Sequence, residues 1–155
     1  MNIPNNMNTF KTYFLSAIMC VSISASSQTK CDELEPLVSE LLQSPSENSN
    51  SVFISDGQVY KAFINTDEKA EFKVTLYGGS TYRIAGSTAD EGALVFKLYD
   101  NETTRNLLYS NKLYKNSNYW DFKVENTIDC IVEASLDLDV SLDGCMIMMM
   151  GFEQK

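Results

Sequence analysis

From Gln58 to Phe152 the chain is a series of short segments in which apolar and polar residues alternate, each ended by turn-forming residues. A period of two sends successive side chains to opposite faces of an extended strand, so each segment buries one face and wets the other. That pattern restricts the chain to an all-β architecture. In Gln58–Asn65 the apolar face is Tyr60, Ala62 and Ile64; in Ala70–Tyr77 it is Phe72, Val74 and Leu76. Gly78-Gly79 predicts a hairpin turn, after which Thr81–Gly86 returns with Tyr82 and Ile84 inward. Ala93–Tyr99 buries Leu94, Phe96 and Leu98, Asp100-Asn101 turns, and Asn106–Ser110 is a short partner. Tyr119–Val124 places Trp120, Phe122 and Val124 on one face.

The longest run follows. From Ile128 to Val140 every second residue is apolar, with Asp129, Glu133, Asp137 and Asp139 on the other face. Asp143-Gly144 turns into the last strand, Cys145–Phe152, which is apolar on both faces and is therefore expected to be covered on both. The cover expected on its second face is Asp32–Gln43, where Leu34, Leu37, Val38, Leu41 and Leu42 recur at helical spacing. Asp32 and Glu35 fit a capping box, Pro36 falls in the first turn, and Ser44-Pro45 ends the helix. A helix of about 12 residues is marginal alone in water, so docking is expected. The fold expected is an eight-stranded antiparallel jelly-roll-like sandwich with one short N-terminal helix, with an up-and-down β-barrel as the alternative.

The start of the chain reads as an export signal. A polar stretch with one charge, Lys11, precedes the apolar run Tyr13–Ile23, and Ala25-x-Ser27 fits the small-x-small rule for cleavage before Gln28. The run is shorter than the roughly 20 residues a membrane span needs. A lipoprotein reading would use Cys20, but Ile18-Met19 precede it and the apolar run continues beyond it. The expected organisation is a signal peptide at 1–27, a helix and polar linker at 28–51 and a β-sandwich at 52–155, placed in the periplasm or outside the cell. No transmembrane segment is expected in the mature chain.

An oxidising compartment admits a disulfide among Cys31, Cys130 and Cys145. A hairpin turning near Ser141 would set Cys130 opposite a residue near Glu153, leaving Cys145 out of reach along the strand. The expected bond is Cys31 to one of the other two, stapling the helix to the sheet with one thiol left over.

Leu76-Tyr77-Gly78-Gly79-Ser80-Thr81-Tyr82 and Leu98-Tyr99-Asp100, with the apolar terminal hairpin, resemble the bacterial pre-peptidase C-terminal domain family across Gln58–Phe152. The resemblance implies a small secreted β-sandwich that is an accessory module without catalysis. Some members bind matrix protein or calcium, drawing acidic ligands from the segment that leads into the sandwich. Here that segment, Ser44–Ser51, offers only Glu47.

The residues also bound the chemistry. There is no histidine, which removes the commonest general base and zinc ligand. No nucleophile elbow or phosphate-cradling glycine loop is present, so the chain reads as a non-enzyme, with a carboxylate-pair hydrolase as the remaining catalytic reading. Net charge is −9, and loss of residues 1–27 removes a lysine and no acid. That excess argues against nucleic acid and anionic membranes. Calcium is the one cofactor the acids suggest, through Asp137, Asp139 and Asp143 or, more weakly, Asp90-Glu91. On the strand reading Asp137 and Asp139 share a solvated face with Glu133. Tyr77, Tyr99 and Tyr119 fall on outer faces and Tyr114 in a loop, which makes these four the candidates for stacking a glycan. Met146, Met148 and Met150 share one face, and packing under the helix explains them better than a soft metal. The functional expectation is an exported binding module for a glycan, a protein or calcium. The alternatives are an assembly subunit that uses its helix face or sheet edges and, less favoured, a small-ligand carrier.

Overall fold

A computed structural model describes residues 26–46 and 51–154, with side chains from residue 31 onward. The segment expected to be a signal peptide, Cys20 included, lies outside the described residues, apart from Ser26 and Ser27, whose backbone opens the helix. The elements are α1 (Ser26–Gln43), β1 (Phe53–Asn65), β2 (Ala70–Leu76), β3 (Ser80–Thr88), β4 (Leu94–Asp100), β5 (Leu107–Ser110), β6 (Tyr119–Val124), β7 (Ile128–Leu136) and β8 (Asp143–Glu153). A 3-10 turn at Asn111–Tyr114 links β5 to β6.

The strands pair from the outside inward along the chain. The first pairs with the last, the second with the seventh, the third with the sixth and the fourth with the fifth. Rolling that ribbon sets β8 against β3 and β7 against β4. The result is two antiparallel four-stranded sheets, ordered β1-β8-β3-β6 and β2-β7-β4-β5. This is the jelly-roll sandwich, in which two sheets share one core without closing into a barrel.

Two turns therefore do something other than expected. Gly78-Gly79 joins strands of different sheets, and so does the connection from β7 to β8. Neither the Gly78-Gly79 hairpin nor the one near Ser141 forms. Alternation fixes which face a residue takes and leaves the partner strand open. The long seventh strand also stops early, at Leu136. Asp137 starts a turn whose carbonyl accepts from the Val140 and Ser141 amides at 2.9 and 3.0 Å.

The inward positions of the alternation hold well elsewhere: Ile84, Phe96, Val132, Met146 and Met148 are buried between the sheets. Met146, Met148 and Met150 all face this core, which corrects their expected place under the helix. The residues between them, Cys145, Ile147 and Met149, meet Leu34, Val38 and Leu42 of α1. The last strand is thus covered on both faces, by the opposite sheet and by the helix.

The helix is longer than its apolar pattern indicated. It starts at Ser26, so Asp32 is interior and forms no cap, and Pro36 lies beyond the first turn. Pro36 has no N–H to give the Asp32 carbonyl. Asp32 and Glu35 instead meet the Lys61 ammonium, at 3.3 and 2.6 Å. Leu37, expected on the docked face, is exposed. A Cys31–Cys145 disulfide with a Cα–Cα distance of 5.5 Å ties the helix to β8. Cys130 is the free thiol among the described residues, and burial first, then Asp100 and Asp129, pushes it up to about 11.

The C-terminal end of α1 is held by Arg83, which is fully buried. Arg83 and Asp121 stand directly opposite each other on β3 and β6. The guanidinium donates to both Asp121 oxygens, at 2.6 and 2.8 Å. Its remaining amine donates to the carbonyls of Leu41 and Ser44 and to the Ser44 hydroxyl. The rings of Phe53 and Tyr119 lie 4.2 and 4.4 Å from it. A cation at a helix C-terminus also meets the negative end of the helix dipole. Gly151, Arg83's neighbour on β8, leaves room for this packing: a Cβ there would sit 2.6 Å from the Ile54 carbonyl and 3.2 Å from Leu42.

Candidate binding cleft

β1 and β2 are the edges of their two sheets, and along this side of the sandwich no ladder joins them. Tyr60 and Phe72 close part of the seam by stacking, with centroids 3.8 Å apart and planes 14° from parallel. Beyond Tyr60 the seam opens, because β1 carries a bulge between Ser55 and Val59. Bulges recur next to functional sites because they re-aim side chains. Gly57 supplies the positive φ of +83° that the bulge needs. The Asp56 carboxylate accepts from the Gln58 amide at 2.9 Å, and the Ser55 hydroxyl accepts from the Gly57 amide at 3.0 Å.

The opening is a cleft of about 550 Å³. Its floor is Val74, Tyr82 and Met150; one lip carries Asp56, Gln58 and Tyr60, the other Lys73, Thr75 and Tyr77, and Ser80 and Phe152 complete the lining. The Tyr82 hydroxyl accepts from the Tyr77 amide at 3.0 Å and fixes the second lip. Tyr60 donates its hydroxyl proton to Gln58 Oε1 at 2.7 Å, so the Gln58 side chain is engaged there through its oxygen and not its N–H groups. Burial first, then the Asp56 charge, raises Tyr60 above its ordinary value, so the phenol stays a donor. Tyr77 is 63% exposed and Phe152 41%. The cleft therefore combines apolar ring faces with donors and acceptors that the fold leaves unspent.

Of the four tyrosines picked from the sequence, only Tyr77 lies here. Tyr99 is on the outer face of the second sheet, its ring 4.7 Å from the Arg105 guanidinium. Tyr114 stacks on Tyr109 and leans on Trp120, with centroids 5.5 and 4.3 Å away. Tyr119 lies beside Arg83 under the helix side of the first sheet. Tyr60, Tyr82 and Phe152 escape sequence reasoning, and alternation marks Tyr60 and Tyr82 as core. An inward residue on an edge strand lines the seam between the sheets, and only the strand order reveals which strands are edges.

The acids are also dispersed. Asp137 accepts from the Asn116 side chain at 3.0 Å and the Asp139 amide at 3.3 Å, with Lys112 at 3.7 Å. The Asn116 bond leads in holding its carboxyl below the ordinary value. Asp90 accepts from the Ser141 hydroxyl at 2.6 Å, and the Asp143 carbonyl lies 2.9 Å from the same hydroxyl oxygen. Glu91 and Asp139 are exposed loop residues. Among the described residues no three His, Cys, Asp or Glu side chains are placed to hold a metal.

Glu133 is a correction. It is buried on the outer face of the second sheet, with Lys69, Lys97 and Arg105 at 3.1, 3.3 and 3.4 Å. Burial alone pushes its carboxyl up, but the hydrogen bonds and charges of Lys69 and Lys97 outweigh that and leave it below its ordinary value. A carboxyl lowered by folding stabilises the fold above its unfolded value, about 4.3 for Glu, and loses that contribution as pH falls through the folded value. Acid unfolding should therefore be steeper between about pH 5 and pH 3 in the parent than in Glu133→Gln, read from urea midpoints across that window. Equal slopes would show that the cluster is not what makes the fold acid-sensitive.

No protein-family model matches the chain, and no curated protein sequence matches it. A solved structure that it resembles is Aeromonas hydrophila PliG, described as a periplasmic lysozyme inhibitor of g-type lysozyme. The match has 6% identity and a TM-score of 0.49, and it covers 64% of this chain and 90% of that one.

Proposed function

We propose that this protein is an exported, non-catalytic binding module that holds a saccharide in the cleft between β1 and β2. One observation carries the reading: the exposed Tyr77 ring stands on the lip opposite Asp56 and Gln58, above an apolar floor. A sugar ring has an apolar C–H face and a hydroxyl rim, so it needs an aromatic surface on one side and paired donors and acceptors on the other. Asp56 accepts from hydroxyl pairs, the Gln58 amide donates, and Tyr77 stacks. Nothing in the cleft is asked to react. The N-terminal segment supports export.

Affinity electrophoresis against a panel of soluble polysaccharides tests the proposal. Tyr77→Ala is expected to weaken the retained ligand by about tenfold, the worth of one ring stack. Its unfolding midpoint should stay within about 0.5 kcal/mol of the parent, because the side chain is exposed. Retention that survives both Tyr77→Ala and Gln58→Ala would place the ligand elsewhere, and no retention across the panel would retire the saccharide reading.

A second reading, assembly through a sheet edge, rests on β1 itself. Val52 and the β1 residues Ile54, Val59 and Phe63 are exposed along an edge strand. Concentration-dependent sedimentation that Phe63→Lys abolishes would favour it. The helix-face version loses its basis, since the apolar face of α1 is packed on the first sheet.

A further inference from the structure

We infer that the cleft selects saccharides bearing a carboxylate, uronic acids above all, and that Lys73 is the residue that sets this specificity. The inference rests on the saccharide reading above and goes further, to the class of sugar.

Lys73 is the one cationic side chain lining the cleft. It lies on β2 opposite Ile131 of β7, with Glu71 two residues back on its own strand and Asp129 and Glu133 flanking the facing position. On a sheet, such diagonal and same-face neighbours lie within reach of a long side chain. A lysine so placed would ordinarily be neutralised, yet each of the three carboxylates is already engaged. Glu71 takes Arg105, Glu133 takes Lys69, Lys97 and Arg105, and Asp129 accepts from the Thr75 hydroxyl at 2.6 Å. Among the described residues the Lys73 ammonium has no ion pair and no hydrogen bond. Arg105 and the two other lysines saturate Glu71 and Glu133, the Thr75 hydroxyl occupies one Asp129 oxygen, and Lys73 is left to the cleft.

The opposite lip carries Asp56, so the two lips present opposite charges. A uronic acid ring matches that arrangement, with a carboxylate on one side and vicinal hydroxyls on the other. The ammonium would take the carboxylate in a charge-assisted bond, Asp56 would accept from the hydroxyl pair, and Tyr77 would cover the ring face. A chain of net charge −9 repels anions at long range, so a local, unspent cation in the cleft decides which anions stay.

The test is calorimetry of the full mature protein with trimers of galacturonate, glucuronate and mannuronate, each beside its neutral parent sugar trimer. At least one uronate is expected to bind about tenfold more tightly than its neutral counterpart, with the advantage shrinking at high salt. Lys73→Gln should erase that advantage and Lys73→Arg should keep it, both with parental unfolding midpoints. Neutral and acidic trimers binding alike, or a preference that persists in Lys73→Gln, overturns this inference and leaves the saccharide reading standing. Binding of no trimer overturns both. Binding of an acidic peptide in place of all sugars would likewise overturn both and assign the cleft to a protein ligand.

Discussion

Asp121→Ala is expected to destabilise the fold by about 3 kcal/mol or more, among the largest effects of any single substitution outside the core. The reason lies with its partner. Arg83 is fully buried, and Asp121 supplies both acceptors of its inner edge. Removing the acid leaves a guanidinium in an apolar pocket between Phe53 and Tyr119, compensated only by the helix-end carbonyls and the Ser44 hydroxyl. A buried charge that loses its partner costs more than the pair was worth, because its desolvation remains. The double variant Arg83→Met/Asp121→Leu should recover only part of the loss. It removes both charges, yet it strips the donor from the last turn of α1 and leaves those carbonyls unsatisfied. Urea midpoints of the three proteins decide the matter. A loss under 1 kcal/mol in Asp121→Ala would mean that solvent reaches Arg83 once the carboxylate is gone.

The second large effect is expected from Cys31→Ala. The disulfide closes a loop across a sequence separation of 114 residues. Chain-entropy reasoning assigns a loop of that length about 4–5 kcal/mol, and native disulfides commonly deliver about 2–4. A loss near 3 kcal/mol, or roughly 10 °C in Tm, is expected for the variant and for the parent under reductant. The damage should be uneven along the helix. Arg83 holds the Leu41–Ser44 end independently, so hydrogen exchange should quicken in the half of α1 around Cys31 while the half around Leu42 keeps its protection. Uniform loss of protection would show that the helix undocks as one body.

These features differ in how far the amino-acid order discloses them. Strand positions were legible because each inward run is a period-two pattern with a turn after it, and β8 advertised its helix by being apolar on both faces. Partner strands were not legible. Gly78-Gly79 carries hairpin chemistry yet spans two sheets, since a turn sequence specifies how sharply the chain reverses and not which strand it lies beside. Asp137 to Val140 continued the alternation by composition alone, and the structure ends the strand where Asp137 takes Asn116 and the Asp139 amide. Of Arg83 the alternation of β3 says only that it faces away from Tyr82 and Ile84. The helix that covers this face also covers the arginine. A signal was present in its neighbour Ala85, an apolar residue on the same face. The cleft was half legible: Tyr77 stood out by its face, while Tyr60, Lys73 and the bulge at Gly57 acquire meaning only once β1 and β2 are known to be edges.

The pairing of the first strand with the last has a consequence for how the protein is made. A chain leaves the ribosome, or crosses a membrane, with one end leading. β1 waits for β8, Cys31 waits for Cys145, and the apolar face of α1 waits for Ile147 and Met149. The main partners of the leading end are residues that arrive late. The first sheet stays in two parts, β1 and the β3–β6 pair, until β8 arrives to join them. The second sheet and the β3–β6 pair can form from residues 70–136 alone, so the last strand to arrive is the one that fastens both the first strand and the helix.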